Sequence, residues 1–339
     1  MSTKLNSTLN GTQASLTWST LSCGFNPTAE KIGETFAYCL IFLVSLVGNS
    51  LIGIVVYKTK TLRRPINFLI VNMALSDLLF PIFLFPRDLV RLYAGSWLVS
   101  GPLGQTLCKL RPFLLEILTA VSIQSLVLIA VDRFGAVLFP LRSTPIRAKR
   151  CRFLILCMWI IAVAAWCPDL FAYKLVESPS GLACKLRWKD TFGKSSSSQN
   201  YDAAMIAVFW YVPLVLIAIL YFAIAIKIKS QKIPGAQLEN AREKRLRRER
   251  SVLKLSIAIV TTFAVCWLPL SIYVLLILYS SDGLNIMSTC AFRYFASVAF
   301  FLARSYCGIN PCVCFIFSQN YRQGLKNLFG RFRVNKNVW

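Results

Sequence analysis

The sequence predicts an all-α membrane protein, a seven-transmembrane helix bundle followed by a short amphipathic eighth helix. Three observations lead there. Of the 339 residues, 56% are apolar and 15% charged, where an ordinary soluble domain carries about 25% charged residues. With a mean hydropathy of +0.58, the chain cannot cover a 38.2 kDa globule with polar surface. Its 24 Phe and 8 Trp exclude a disordered or collagen-like chain. Lastly, seven apolar runs reach the length needed to cross a bilayer, and each ends in charge, Gly, Pro or Ser, as helix ends in lipid require.

Residues 1–34 precede the first run and read as an extracellular segment. They are rich in Ser and Thr, need no fold of their own, and contain two N-glycosylation acceptor patterns, Asn6-Ser7-Thr8 and Asn10-Gly11-Thr12. No basic n-region with a short apolar stretch opens the chain, so the first span is expected to act as its own insertion signal. The runs lie at 36–57, 67–92, 107–138, 153–173, 203–228, 252–279 and 291–317, within a membrane domain of 35–317. An odd number of spans puts the termini on opposite sides. The loops after runs one, three and five, with the tail, hold 25 of the 38 Lys and Arg; the other face holds 12, and Arg304 sits inside the last run. The positive-inside rule therefore places the N-terminus of this multi-pass chain outside, and the expected location is the plasma membrane.

Few charges fall away from the outer ends of the runs, and those singled out are Asp77, Glu116, Asp132 with Arg133, and Arg304. Asp132 and Arg133 are close enough to the cytoplasmic end to snorkel. Asp77, followed by Leu78-Leu79-Phe80, is not, and is expected to face a polar cavity between helices. Proline interrupts several runs, among them those with Pro81 and Pro86, Pro168, Pro213, Pro269 and Pro311. Each removes a backbone donor and kinks its helix, so the bundle reads as one built to open a cavity or to move. Residues 318–339 form the last segment; over 317–330, Phe317, Tyr321, Leu325, Leu328 and Phe329 interleave with Arg322 and Lys326, which suits a helix lying on the inner leaflet.

In order along the chain stand Gly48-Asn49, Ala74-Leu75-Ser76-Asp77, Cys108, Asp132-Arg133-Phe134, Trp159, Pro213 with Tyr221, Phe263-Ala264-Val265-Cys266-Trp267-Leu268-Pro269, and Asn310-Pro311. Together, at this spacing, they resemble the rhodopsin-like (class A) G-protein-coupled receptors of the peptide-receptor type, over essentially the whole chain from the first span. The resemblance implies a receptor that binds an extracellular ligand and activates heterotrimeric G proteins by outward movement of the sixth helix.

It also implies roles. Arg133 would pair with Asp132 and with Glu249 at the cytoplasmic end of span six, a charge-assisted lock between helices; Glu249 otherwise reads as one more charge in the solvated run 242–250. Trp267 would be a switch below the ligand, resting on Phe263, Ile123 and Pro213, or else an ordinary core aromatic. Asn49, Asp77, Ser122 and Asn310 would line a water and sodium pocket. Here the chain departs from the pattern with Tyr306 and Cys307 where relatives place Asn or Ser, and a thiol is a poor ligand for a hard cation. The Asn-Pro-x-x-Tyr motif reads Asn310-Pro311-Cys312-Val313-Cys314, so the phenol that would reach Tyr221 in the active state is missing. Cys108 and Cys184 would form the family's disulfide; Cys23 and Cys290 would form a second bridge, unless Cys290 is buried. Beyond Ser318 the tail has neither Ser nor Thr, so phosphorylation falls to Ser230, Ser251 or loop residues and tail-dependent arrestin recruitment is expected to be weak.

The same resemblance narrows the ligand. Amine receptors carry an Asp where this chain has Leu115, and opsins carry a Schiff-base Lys where it has Arg304. Trp97, eleven residues before Cys108, and a second extracellular loop over 175–201 look like those of peptide receptors. The polar groups offered to a ligand are Arg87, Arg111, Glu116, Asp202, Asp282, Arg293 and Arg304, above Trp267, with Glu116 and Arg304 either contacting the ligand or pairing with each other. The outer face is net basic, which favours acidic peptides or C-terminal carboxylates, while Glu116 or Asp202 leaves room for amidated ones. A lipid or other small non-amine molecule is the alternative ligand class. A transporter or channel would show repeats or a filter, and none is present. With no histidine anywhere, the commonest enzyme and metal constellations are missing; no catalytic residue, cofactor or metal is expected. The basic run 242–250 suits membrane lipids and the G protein rather than nucleic acid.

Overall fold

A computed structural model of the chain describes residues 27–139, 146–179, 181–193, 195–230, 239–279 and 289–336. Among the described residues, seven helices are long and apolar enough to cross a membrane: Thr28–Lys58, Pro65–Ala94, Gly101–Leu138, Ala148–Ala172, Ser198–Lys227, Ser251–Ile277 and Cys290–Phe317. These are spans one to seven below. Several start earlier than their apolar cores, because helix continues past the hydrocarbon wherever a cap allows it. Ser197 caps span five through its side chain, which accepts from Asn200 N at 3.3 Å, so Tyr201 and Asp202 belong to the helix and not to the loop before it. Span six continues an upstream helix that begins at Glu239. Span seven is capped by Thr289, whose Oγ1 accepts from Phe292 N at 3.3 Å.

The prolines act differently from one another. Pro81, Pro86, Pro269 and Pro311 lie inside continuous helices, as does Pro112 in span three. At Pro168 the helix Ala148–Trp166 gives way to a short second helix, Asp169–Ala172. Before Pro213, residues Ala207–Tyr211 widen into a π-helical turn, the adjustment that lets a helix absorb a missing donor.

Span three is the hub. It packs against spans two, four, five and six, while span one packs on spans two and seven and span six on span seven. Along the outside run large exposed apolar side chains, such as Phe36, Leu40, Leu43 and Val47 on span one and Val212, Val215, Ile219 and Phe222 on span five. That surface suits hydrocarbon and not water, and the chain is a multi-pass membrane protein. Glycine allows a close helix approach: a Cβ on Gly48 would stand 2.7 Å from Pro311 of span seven.

On the loop side, β1 (Tyr173–Ser178) and β2 (Gly181–Leu186) form an antiparallel hairpin. Cys184 on β2 is disulfide-bonded to Cys108 at the start of span three, Cα–Cα 5.5 Å. Trp97 N donates to Leu182 O at 2.8 Å and Gln105 bonds Tyr173 and Leu175, so the hairpin is held at several points to span three and the loop before it. Cys290 is also in a disulfide; Cys23, its expected partner, lies outside the described residues, as do Asn6, Asn10 and Asp282. After Ser318 a further helix, Gln319–Lys336, packs back on span one. Its Tyr321 is fully buried and donates to Asn67 Oδ1 of span two at 3.2 Å.

Candidate ligand and activation site

At the hairpin end of the bundle, the sequence offers Arg111, Glu116, Asp202 and Arg304 to a ligand, and the structure sorts them into two groups. Arg304 and Glu116 do not pair. Arg304 donates through Nε to Asp88 Oδ2 at 2.9 Å and through Nη1 to the Tyr38 hydroxyl at 2.9 Å, and Arg111 Nη2 holds Asp88 Oδ1 at 2.5 Å. One buried carboxylate thus ties spans two, three and seven, and Tyr38 adds span one. Arg87 stacks over the Trp97 ring at 4.9 Å. Asp88 escaped the sequence reading because it follows Pro86-Arg87 near a span end, where a charge looks interfacial. Its signal was periodicity: it stands eleven residues after Asp77, three helical turns and therefore the same inward face.

Glu116 and Asp202 lie on the other side, close to Asp169 at the start of the short helix that ends span four, near enough for their charges to interact. Tyr173, at the head of β1, faces all three; burial and those carboxylates push its phenol above the ordinary tyrosine range. Leu115 is partly buried in the main core, leaving no anionic anchor at that position.

Trp267 sits beneath these groups in an aromatic stack. Its ring meets Trp210 at 4.8 Å, Phe263 at 6.1 Å and Phe80 at 6.1 Å edge-on, and Phe263 meets Tyr306 at 5.2 Å. Ile123 and Phe263 belong to the same buried core, and Pro213 is buried. Trp210 was missed: its approach to Trp267 depends on the π-helical turn, which rotates the face of span five and leaves no mark in the sequence.

Below the aromatic stack, Asn310 Nδ2 donates to Asp77 Oδ2 at 2.6 Å, and Asn49 Nδ2 donates to Ser45 O, Ser45 Oγ and Cys307 O within 3.1 Å. Ser45 Oγ donates to the Asp77 carbonyl at 2.8 Å. Ser122 joins Asp77, Tyr306 and Cys307 around a cavity of about 10 Å³, room for roughly one water. Asn72 then links spans two, three and four, donating to Ser125 Oγ and accepting from Trp159 Nε1, each at 3.0 Å.

At the far end Arg133 is ion-paired to Asp132. Both line a cavity of about 590 Å³ with Asn67, Ser251, Leu255 and Tyr321. Tyr221 lies beside Ser256 and Arg133. Glu249 belongs to the sixth helix, but its side chain lies outside the described residues.

The family model described as "7 transmembrane receptor (rhodopsin family)" matches residues 48–313. The chain is 30% identical over 318 residues to a QRFP-like peptide receptor of Branchiostoma floridae, covering 92% of this chain and 80% of that one. It is 29% identical over 330 residues to neuropeptide FF receptor 1 of Rattus norvegicus, covering 93% and 74%. Against the RYamide receptor of Drosophila melanogaster the identity is 27% over 304 residues, covering 89% and 64%.

Proposed function

Because the chain belongs to the rhodopsin family of seven-transmembrane receptors, we propose that it binds an extracellular peptide and activates heterotrimeric G proteins from the plasma membrane. The observation that carries this reading is the match over 48–313 together with relatives that are named as peptide receptors. The N-terminus lies outside, by the distribution of Lys and Arg.

The geometry supports a route for the signal. A ligand held between the hairpin and the upper helices presses on Trp267, whose ring is packed against Trp210 of span five and Phe263 one turn below it. Repacking that stack is cheapest where span six bends, at Pro269. The outward swing of span six then widens the cavity beside Arg133, and the freed guanidinium meets the G protein. Glu249 serves as the partner Arg133 leaves, and Asp77 with Asn310 holds spans two and seven in register meanwhile. The helix Gln319–Lys336 lies on the inner leaflet, its basic residues toward anionic lipid. Residues 319–339 offer no Ser or Thr to phosphorylate, so arrestin recruitment through these residues is weak.

The test is nucleotide exchange on G proteins in membranes containing the chain, challenged with tissue extract. Activation abolished by protease treatment of the extract, and absent in Arg133→Ala, is the expected result. Activation that survives protease would move the ligand to a lipid or small molecule.

A further inference from the structure

Three buried donors near the hairpin have no acceptor among the described residues: Arg87 Nη1, Arg111 Nε and the Trp97 indole nitrogen. They belong to one neighbourhood. The Arg87 guanidinium lies over the Trp97 ring at 4.9 Å, and Arg111 holds Asp88, the residue next to Arg87, at 2.5 Å. Arg87 and Arg111 are near enough for their charges to interact. Trp97 is the most telling of the three, because it is only 7% exposed and stands on a fixed support. Its backbone N–H donates to Leu182 O at 2.8 Å, and the hairpin that carries Leu182 is tied to span three through Cys184 and Cys108. A buried donor without an acceptor carries the full cost of its desolvation, and native chains leave few of them.

The chemistry of these donors selects their acceptor. Contact with the ring occupies the face of the Arg87 guanidinium, while its N–H groups point along the edge, in its own plane. That edge is the fork that takes a carboxylate through two parallel hydrogen bonds. Asp88 is not available to it, since its two oxygens are taken by Arg111 and Arg304. Charge favours the same class of ligand. Arg87, Arg91, Arg111 and Arg304 stand together against two carboxylates, Asp88 and Glu34, so this side of the bundle holds an excess of positive charge. Arg91 is exposed one turn beyond Arg87 on span two, where it meets an arriving anion first.

We propose that Arg87, Arg111 and Trp97 form a subsite for a carboxylate of the ligand, with Arg87 supplying the fork and the Trp97 indole a further donor. Arg111 gives its Nε while keeping Asp88 through Nη2. This rests on the peptide-receptor reading and deepens it, by naming where an acidic side chain or a free C-terminus docks. The donors are covered in the unliganded chain, so the anion is received as the Arg87 edge turns outward over the ring, which the hairpin holds still.

The test uses purified receptor and three small probes, N-acetyl-glutamate amide, N-acetyl-alanine and N-acetyl-glutamine amide, in millimolar titrations at matched ionic strength. The first offers a side-chain carboxylate, the second a terminal one and the third neither. The expected result is a saturable rise in melting temperature with a carboxylate probe and none with the glutamine probe; the carboxylate that responds names its source in a peptide. Single variants Arg87→Gln and Trp97→Phe should each weaken that binding about tenfold, about 1.4 kcal/mol. Trp97→Phe keeps a ring beneath Arg87 and removes the N–H, so a purely packing role for the ring would leave binding intact. Either variant serves should the other fail to fold. Lys189→Gln, at an exposed cation beyond the hairpin, should leave binding unchanged. Equal shifts with the glutamine probe, no shift with either carboxylate, full binding in Arg87→Gln and Trp97→Phe, or an equal loss in Lys189→Gln would overturn the subsite. The outcome is separate from that of the protease experiment. Protease-sensitive activation with no preference for carboxylate probes leaves a peptide receptor without this subsite, whereas carboxylate binding with protease-resistant activation leaves the subsite in a receptor for an acidic small molecule.

Discussion

Arg304 of span seven donates through Nε to Asp88 of span two at 2.9 Å, while Arg111 of span three holds the other oxygen of the same carboxylate. Asp88 is 7% exposed, so its removal would leave two guanidinium groups facing each other without a counter-charge. Asp88→Asn is expected to destabilise the bundle by about 3–5 kcal/mol, the usual cost of breaking a buried pair from one side. Thermal unfolding of the purified receptor reads this directly. Adding Arg304→Gln should recover part of the loss, and a strictly additive double variant would argue against the shared-carboxylate account.

Gly48 presents a simpler case. The space a Cβ would fill there is taken by Pro311, 2.7 Å away, and proline cannot swing aside. Gly48→Ala should cost about 1–3 kcal/mol by overpacking the contact of spans one and seven. Gly33, with nothing near its missing Cβ, is the control, and Gly33→Ala should leave the melting temperature unchanged or slightly higher.

Sodium should have no effect on agonist potency. The cavity beside Asp77 is about 10 Å³ and is bordered by Tyr306 and Cys307, while Asp77 already accepts from Asn310 at 2.6 Å. Dose–response curves in sodium chloride and in N-methylglucamine chloride should superimpose. A rightward shift in sodium would show that the ion finds oxygen ligands after all.

Cys314 is fully buried, and it occupies the place of the missing phenol. Cys314→Tyr should lower stability by about 1–3 kcal/mol through overpacking while raising basal or agonist-driven nucleotide exchange, because the new hydroxyl can reach Tyr221 only in an opened bundle. Loss of stability with no gain in exchange would sink the idea that the active state lacks this contact.

Tyr321 carries a phenol into the cavity beside Arg133 from the helix after span seven, where it donates to Asn67 at 3.2 Å. Asn67 in turn donates to Leu62 O at 2.6 Å. Tyr321→Phe removes one buried hydrogen bond and should cost about 0.5–1.5 kcal/mol, with the ring's packing against Phe315 retained. A drop in stability far beyond that would mean the hydroxyl has a second partner.

Trp210 and Asp169 show where sequence reading fell short. Trp210 reaches Trp267 through a widened turn of span five, and Asp169 follows a proline that ends one helix and starts another. Both depend on backbone departures a few residues away, which periodicity assumes do not occur. Glu116 illustrates the converse. Its presence inside span three was plain from its neighbours, but its company was not.

The sequence by itself determined the class of molecule, the seven spans to within a few residues, the family through motifs such as Asp132-Arg133 and Asn310-Pro311, and the pairing of Cys108 with Cys184 that the family implies. These are legible because a bilayer forces every backbone group into its own helix, so that span positions follow from local composition alone. Tertiary structure decided which charge meets which. Asp88 and Arg304 are separated by 216 positions, and no local pattern relates them. Their pairing follows from where four helices converge in a medium that penalises any charge left alone.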